Sequence, residues 1–181
     1  MKKEDTKEKI IKYIEEKLTR RSANIICLSN VAKDLKMSKR TIYEIFNSKD
    51  EIFENIILRI IAKFKKNYNE IISKIKDNEM NVYDALGEFW KLIFIDRHLA
   101  HSKLFEKYPK YFEKFKSINK EFIDTLFVIA KKRKILKEDF KIKTFYYILS
   151  SIAHTIVMKY EMELENIVEI NELLCYGMFQ A

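Results

Sequence analysis

Apolar positions recur at helical spacing along almost the whole chain. In residues 6–20, Ile10, Ile11, Ile14 and Leu18 form one stripe, while Lys7, Lys9, Lys12, Glu15 and Glu16 fall elsewhere. This is an amphipathic helix with one buried face. RRSANIICL breaks the pattern and reads as a connection. SNVAKDL then supplies about two turns, with Val31, Ala32 and Leu35 inward. Lys36 and Met37 leave room only for a short turn before Ser38, whose hydroxyl suits a helix N-cap. The next helix has Ile42, Ile45 and Phe46 as its anchoring face. Helix, tight turn, helix of this size is a helix-turn-helix unit.

Ser48 and Glu51 form an S-x-x-E capping box that opens another helix. That helix is expected over residues 49–76, with Ile52, Phe53, Ile56, Ile57, Ile60, Ile61, Phe64 and Tyr68 at helical spacing. A further helix is expected over about 81–100, carrying Val82, Ala85, Leu86, Phe89, Trp90, Ile93 and Phe94. Pro109 marks a break, and the long helix after it runs to about Lys134. KILKEDFK is a connection, and two last helices lie near 138–164 and 166–179. With 2 Gly and 1 Pro in 181 residues, a turn-rich sheet is disfavoured. The expected fold is all-α: a three-helix head over residues 1–50 and a helical body over 51–181.

TFYYILSSIAHTIVM, residues 144–158, contains no Asp, Glu, Lys or Arg. A helix that is apolar all round is buried on more than one side. Ser150, Ser151, Ala153, His154 and Thr155 form a small, mildly polar strip suited to close helix contact. INELLCYGMF, with Leu173, Leu174, Tyr176 and Met178, supplies a second adhesive helix. One face is expected on the chain's own core and another on a partner subunit; a central helix inside a monomer is the competing reading.

Charge is unevenly spread. The net charge is +8, and residues 1–50 hold 13 basic and 8 acidic residues, a net +5. A phosphate-facing module has this asymmetry, as does a generic lysine-rich surface. Ser38, Lys39, Arg40, Thr41 and Tyr43 occupy the exposed start of the third helix. The second helix of such a unit enters the major groove, where Lys and Arg donate to guanine O6 and N7 or to phosphate, and hydroxyls suit phosphate oxygens. An ordinary solvent-facing surface helix is the competing reading. Lys49 lies in the first turn of its helix, where a cation opposes the dipole and a phosphate contact would account for it.

Several classes are disfavoured. No run of 18 uncharged apolar residues is present, so no membrane span is expected, and the N-terminal stretch lacks a signal-peptide apolar region. Cys27 and Cys175 are isolated, which suits a reduced, cytoplasmic protein. The phosphate-loop, dinucleotide, zincin and C-x-x-C motifs are all missing, so no enzyme and no cofactor is expected. His98 and His101 have i,i+3 spacing but no local carboxylate or thiol cluster, so no metal is expected either.

VAKDLKMSKRTIYEIFNSKDEIFENI, residues 31–56, resembles the signature of the TetR/AcrR family of bacterial transcriptional regulators. The matching features are Val31-Ala32, Met37-Ser38, Thr41-Ile42-Tyr43, Phe46, Ser48, Lys49 and Asp50-Glu51. The resemblance spans roughly residues 10–56, under a third of the chain. It implies that Lys39, Arg40, Tyr43 and Glu44 face bases or the adjoining backbone, that Thr41 and Lys49 hold phosphates, and that Ser29 approaches the DNA. It implies a homodimer joined by the last two long helices of each subunit, with Ser150, Ser151, His154, Thr155, Leu173, Leu174, Tyr176 and Met178 at the interface. It also implies a repressor released from a palindromic operator by a small hydrophobic or aromatic effector. The pocket for that effector would be lined by Phe89, Trp90, Phe94, His98, Tyr108, Phe122, Tyr146, His154 and Met158. Partners are then double-stranded DNA and a second copy, with no membrane; a helical protein binding a membrane or partner surface is the alternative, and an activator is another.

The chain departs from the family pattern in four places. The usual glycine of the first turn is missing, and Asn24 is the nearest residue tolerant of a left-handed backbone. Cys27 replaces the Thr that commonly opens the second helix. Glu44 stands where His is frequent, and Ile45 where an aromatic is. Glu44 could accept from cytosine N4 or simply face solvent.

Overall fold

The computed structural model describes residues 3–18, 26–96, 103–159 and 161–178, and nine α-helices lie among them. They are α1 (Lys3–Leu18), α2 (Leu28–Asp34), α3 (Lys39–Ile45), α4 (Lys49–Lys76), α5 (Val82–Ile95), α6 (Leu104–Lys107), α7 (Pro109–Lys132), α8 (Ile142–Met158) and α9 (Leu164–Met178). The expected all-α class holds. Pro109 is the first residue of α7, the position where its missing N–H costs least. The short α6 has no counterpart in the apolar periodicity. Asn24, His98 and His101 lie outside the described residues.

Three helices end in one device. After α2, Met37 N–H donates to the Ala32 carbonyl (2.9 Å) and Lys36 N–H to that of Lys33 (3.1 Å), with Lys36 left-handed at φ 54°. After α4, Glu79 N–H reaches Lys74 (2.8 Å) around Asn78 at φ 61°. After α7, Ile135 N–H reaches Ala130 (2.9 Å) around Lys134 at φ 55°. These are Schellman closures, which usually place glycine at the left-handed position. Here lysine or asparagine accepts the strain, roughly 1–2 kcal/mol for a residue with a Cβ.

The chain divides into two compact units. The first comprises Met1–Ala62 with His98–Phe112. Ile10, Ile14, Leu18, Ile42, Phe46, Ile52, Phe53, Ile56 and Ile57 form its buried core. It therefore runs past residue 50, because the first half of α4 supplies much of that core. Arg59 of α4 also donates to Glu8 of α1 at 2.7 Å. The Tyr13 hydroxyl of α1 donates to Asp34 at the end of α2.

The second unit comprises Lys63–Arg97 with Glu113–Ala181. Its centre is aromatic: Phe122 stacks on Tyr68 (4.5 Å between centroids) and on Phe89 (5.2 Å), and Phe89 meets Trp90 edge-on at 4.9 Å. The Tyr68 hydroxyl donates to Asn119 Oδ1 at 2.6 Å, and burial raises its pKa above the ordinary phenol range. α9 packs on α5 beside Gly87: Asn171 Nδ2, which donates to the Tyr83 carbonyl, would lie at an ordinary contact distance, 3.4 Å, from a Cβ there. None of the described helices is long and apolar enough to cross a membrane.

Candidate nucleic-acid interface

The turn between α2 and α3 is set by the closure at Lys36 and by the cap at Ser38. Ser38 Oγ accepts from Thr41 N–H at 3.0 Å and lies 2.9 Å from Thr41 Oγ1. Such a cap is worth about 1 kcal/mol. Below it Ile42 and Phe46 are buried and Ile45 is half-buried, so α3 can rotate very little without exposing them. Cys27 precedes α2 in an extended conformation and makes no side-chain cap bond, in keeping with its being a poorer cap than Thr.

The opposite face of α3 is uncovered. Ser38, Lys39, Arg40, Tyr43 and Glu44 are exposed, and so is Ser29 in the first turn of α2. Half of the Tyr43 surface is accessible (50 %). Arg40 Nε donates to Glu44 Oε1 at 2.9 Å, one helical turn on. Glu44 is thus exposed with one of its oxygens engaged by Arg40. Thr41 is half-buried, with its hydroxyl turned to Ser38. Lys49 is half-buried too, and its ammonium lies over the Phe53 ring at 5.4 Å. That contact offsets part of the dipole penalty at Lys49.

At the start of α4, Glu51 N–H donates to Ser48 Oγ at 3.0 Å. The Glu51 carboxylate reaches back one residue further than a standard capping box and accepts from Asn47 N (2.7 Å) and Nδ2 (2.8 Å). This locks the link from α3 into α4. Beside it, Asp50 accepts from Lys107 Nζ (2.7 Å) and from the Tyr108 hydroxyl (2.5 Å), while Lys110 pairs with Glu54 at 3.0 Å. The Lys107 hydrogen bond, then that of Tyr108, holds the Asp50 carboxyl below its ordinary pKa. Burial, then the bond to Asp50, pushes the Tyr108 phenol up to about 12. Sequence reasoning missed this cluster because its partners lie more than fifty residues apart.

The second unit corrects several expectations. Tyr108 belongs to the first unit, where its hydroxyl donates to Asp50. His154 is exposed and Met158 is 55 % exposed, on the outside of α8. Phe89, Trp90 and Phe122 pack as core; Phe94 and Tyr146 are half-buried. A cleft of about 640 Å³ lies between α5 and α9 and is lined by Tyr83, Asp84, Glu88, Val168, Asn171 and Tyr176 among others. Its one sequence signal was Gly87, in the middle of an otherwise regular helix.

The exposed positions of α8 and α9 mix large apolar side chains with polar ones, among them Lys143, Glu165, Glu169 and Glu172. Phe145, Leu149 and Ile156 turn α8 inward, while Tyr147, Met158, Leu164 and Val168 are exposed, Leu173 at 73 % and Tyr176 at 86 %. Of the residues expected at a subunit interface, Ser151, His154 and Thr155 are exposed alongside Leu173 and Tyr176, and Ser150 and Leu174 are half-buried. The Met178 side chain lies outside the described residues.

No protein-family model and no curated protein sequence matches the chain. Solved structures do. Over nearly its whole length the chain shares its fold with transcriptional regulators of the TetR/AcrR family. An AcrR-family transcriptional regulator from Aquifex aeolicus has 22 % identity and TM-score 0.70, with 95 % of this chain and 96 % of that one covered. A TetR-family regulator from Haemophilus influenzae has 20 % identity and TM-score 0.61, with 98 % of each covered. A ketosteroid transcriptional regulator from Mycobacterium tuberculosis has 10 % identity and TM-score 0.70, covering 97 % and 96 %. At these identities the likeness is one of fold.

Proposed function

We propose that the protein is a DNA-binding transcriptional regulator whose α3 lies in the major groove. One observation carries this reading: α3 is anchored by Ile42 and Phe46 and capped by Ser38, yet Lys39, Arg40 and Tyr43 are exposed to solvent. A surface helix held this firmly, with donors on its free side, suits base edges and phosphates. The net +5 of residues 1–50 supports a polyanionic partner. The proposed DNA-binding segment is 1–50, with Ser29, Ser38, Lys39, Arg40, Tyr43 and Glu44 nearest the DNA. Thr41 and Lys49 would need to turn from their internal contacts to reach phosphate.

The regulator acts as a homodimer through α8 and α9, whose exposed apolar residues, Leu173 and Tyr176 foremost, suit a second copy of the same surface. Two heads then read the halves of a palindrome about 34 Å apart or a multiple of it. The sense of regulation is repression, relieved when a small hydrophobic or aromatic effector binds residues 51–181. A cleft of about 640 Å³ in that region is within the range of small-molecule sites. The protein works in the cytoplasm, where its DNA is.

Selection of bound sequences from random duplex DNA is the deciding experiment. A palindromic motif is expected, with affinity falling steeply between low and moderate salt as displaced counterions return. Binding that selects no sequence, or stays flat with salt, would overturn the reading.

A further inference from the structure

Resting on the DNA-reading proposal, we infer that Glu44 is a positioning residue that sets specificity, holding the Arg40 guanidinium so that it reads one guanine. Arg40 Nε donates to Glu44 Oε1 at 2.9 Å, from residues one helical turn apart on the exposed face of α3. The two side chains are 88 % and 59 % exposed. An ion pair so open to water adds almost nothing to stability, so folding does not explain it. Its geometry does more. The Nε contact uses one of five guanidinium donors and leaves the four N–H groups of Nη1 and Nη2 unengaged by it. Those groups form the fork that meets guanine O6 and N7 in a bidentate contact.

An unheld arginine on a groove-facing helix has many rotamers, and the nearest phosphate satisfies most of them. A carboxylate fixed to Nε removes part of that freedom before DNA arrives, which lowers the ordering cost of the correct contact. It also repels phosphate, so the alternative sequence-blind contact is penalised. The pairing in turn partly neutralises Glu44, which alone would face a polyanion unfavourably. Glu44 thus trades general affinity for discrimination at the base pair that Arg40 meets.

The test uses the full chain and the motif that the wild type selects from random duplex DNA. Arg40→Ala and Glu44→Ala are each expected to relax the same guanine position by about tenfold. Glu44→Ala should also bind unrelated DNA several-fold more tightly and steepen the salt dependence by about one phosphate contact, as the freed Arg40 settles on the backbone. Glu44→Gln keeps an acceptor for Nε and should retain most of the guanine preference. The inference is overturned if Glu44→Ala leaves that preference intact, or tightens all sequences equally. It is also overturned if Glu44→Ala relaxes a cytosine at a position Arg40→Ala does not touch, since Glu44 would then read a base itself. A wild type that selects no motif removes the DNA reading and this inference together, an outcome distinct from a motif that Glu44→Ala preserves.

Discussion

The exposed side chains of α3 are polar or charged, whereas those of α8 and α9 include a set of large apolar ones interspersed with Lys143, Glu165, Glu169 and Glu172. On α3 the exposed side chains are Lys39, Arg40, Tyr43 and Glu44. On α8 and α9 they include Tyr147, Met158, Leu164, Val168, Leu173 and Tyr176. Water solvates the first face at no cost, so only a partner with matching charge can improve on it. The second face loses about 25 cal/mol for every Å² of apolar surface left in water, and any apolar cover relieves that. Two modes of association follow. Contacts through α3 should weaken steeply with salt, whereas contacts through α8 and α9 should scarcely respond to it.

Leu173→Glu combined with Tyr176→Glu should produce the largest change. Burying each wild-type side chain against a partner is worth about 1.5–3 kcal/mol, so the pair should weaken dimerisation at least a hundredfold. Sedimentation velocity over a concentration series measures this. A wild type that is monomeric throughout would break the comparison, because its exposed apolar residues would then have no partner of their own kind. Next in size is Lys39→Ala, expected to weaken DNA binding by up to about tenfold on all sequences alike and to lower the salt slope by about one. Fluorescence anisotropy at several salt concentrations gives both numbers, and the melting temperature should not move.

Smaller still is Lys36→Gly. Left-handed Lys36 closes α2 at φ 54°, and glycine removes that strain while loosening the unfolded chain. A net gain of about 0.5–1 kcal/mol in urea unfolding is expected. A loss would mean that the lysine makes a contact outweighing its backbone cost.

The interiors of the helices were legible in the sequence, and their ends only in part. Ile10, Ile14 and Leu18, or Phe89, Trp90 and Ile93, repeat at a spacing only a helix can bury. The stops after α2, α4 and α7 fall close to where they were expected although they use Lys36, Asn78 and Lys134, not glycine, whereas α5 and α8, expected to reach about 100 and 164, end at Ile95 and Met158. The four-residue α6 is too short for any period to register. At the candidate site, Ser38, Lys39, Arg40 and Tyr43 were legible because cap, spacing and turn all agree. The Arg40–Glu44 pair was also legible in principle, since i,i+4 is the spacing of helical ion pairs. The pocket was not, because aromatic periodicity reports burial and is silent on whether space remains between the rings. Phe89 and Phe122 filled theirs. His154 and Met158, expected in the pocket, are exposed on α8; for His154 this agrees with its other expected place, on the face turned to a partner subunit.

The smallest expected effect concerns the polar ties of the first unit, and pH is its lever. Asp50 is held below its ordinary value of 3.8 by Lys107 and Tyr108. A carboxyl with a depressed folded pKa contributes its stability above the unfolded value and loses it as pH falls through the folded one. Tyr108 runs the other way. Its phenol is raised from 10 to about 12, so its contribution is complete below pH 10 and is lost as pH climbs from 10 towards 12. Asp50→Asn should therefore melt below the wild type between about pH 5 and 10, with the two curves converging at either extreme. The shift should be small, because Asp50 is largely exposed and water screens the pair. NMR titration of ring-labelled tyrosine, with Tyr108 assigned among the ten tyrosines, supplies a local readout: in Asp50→Asn the Tyr108 midpoint should fall from about 12 part of the way towards 10, burial keeping the remainder. An unchanged midpoint would mean that the hydrogen bond from Tyr108 to Asp50 does not form in solution, leaving the start of α4 tied by Lys110 and Glu54 alone among these side chains.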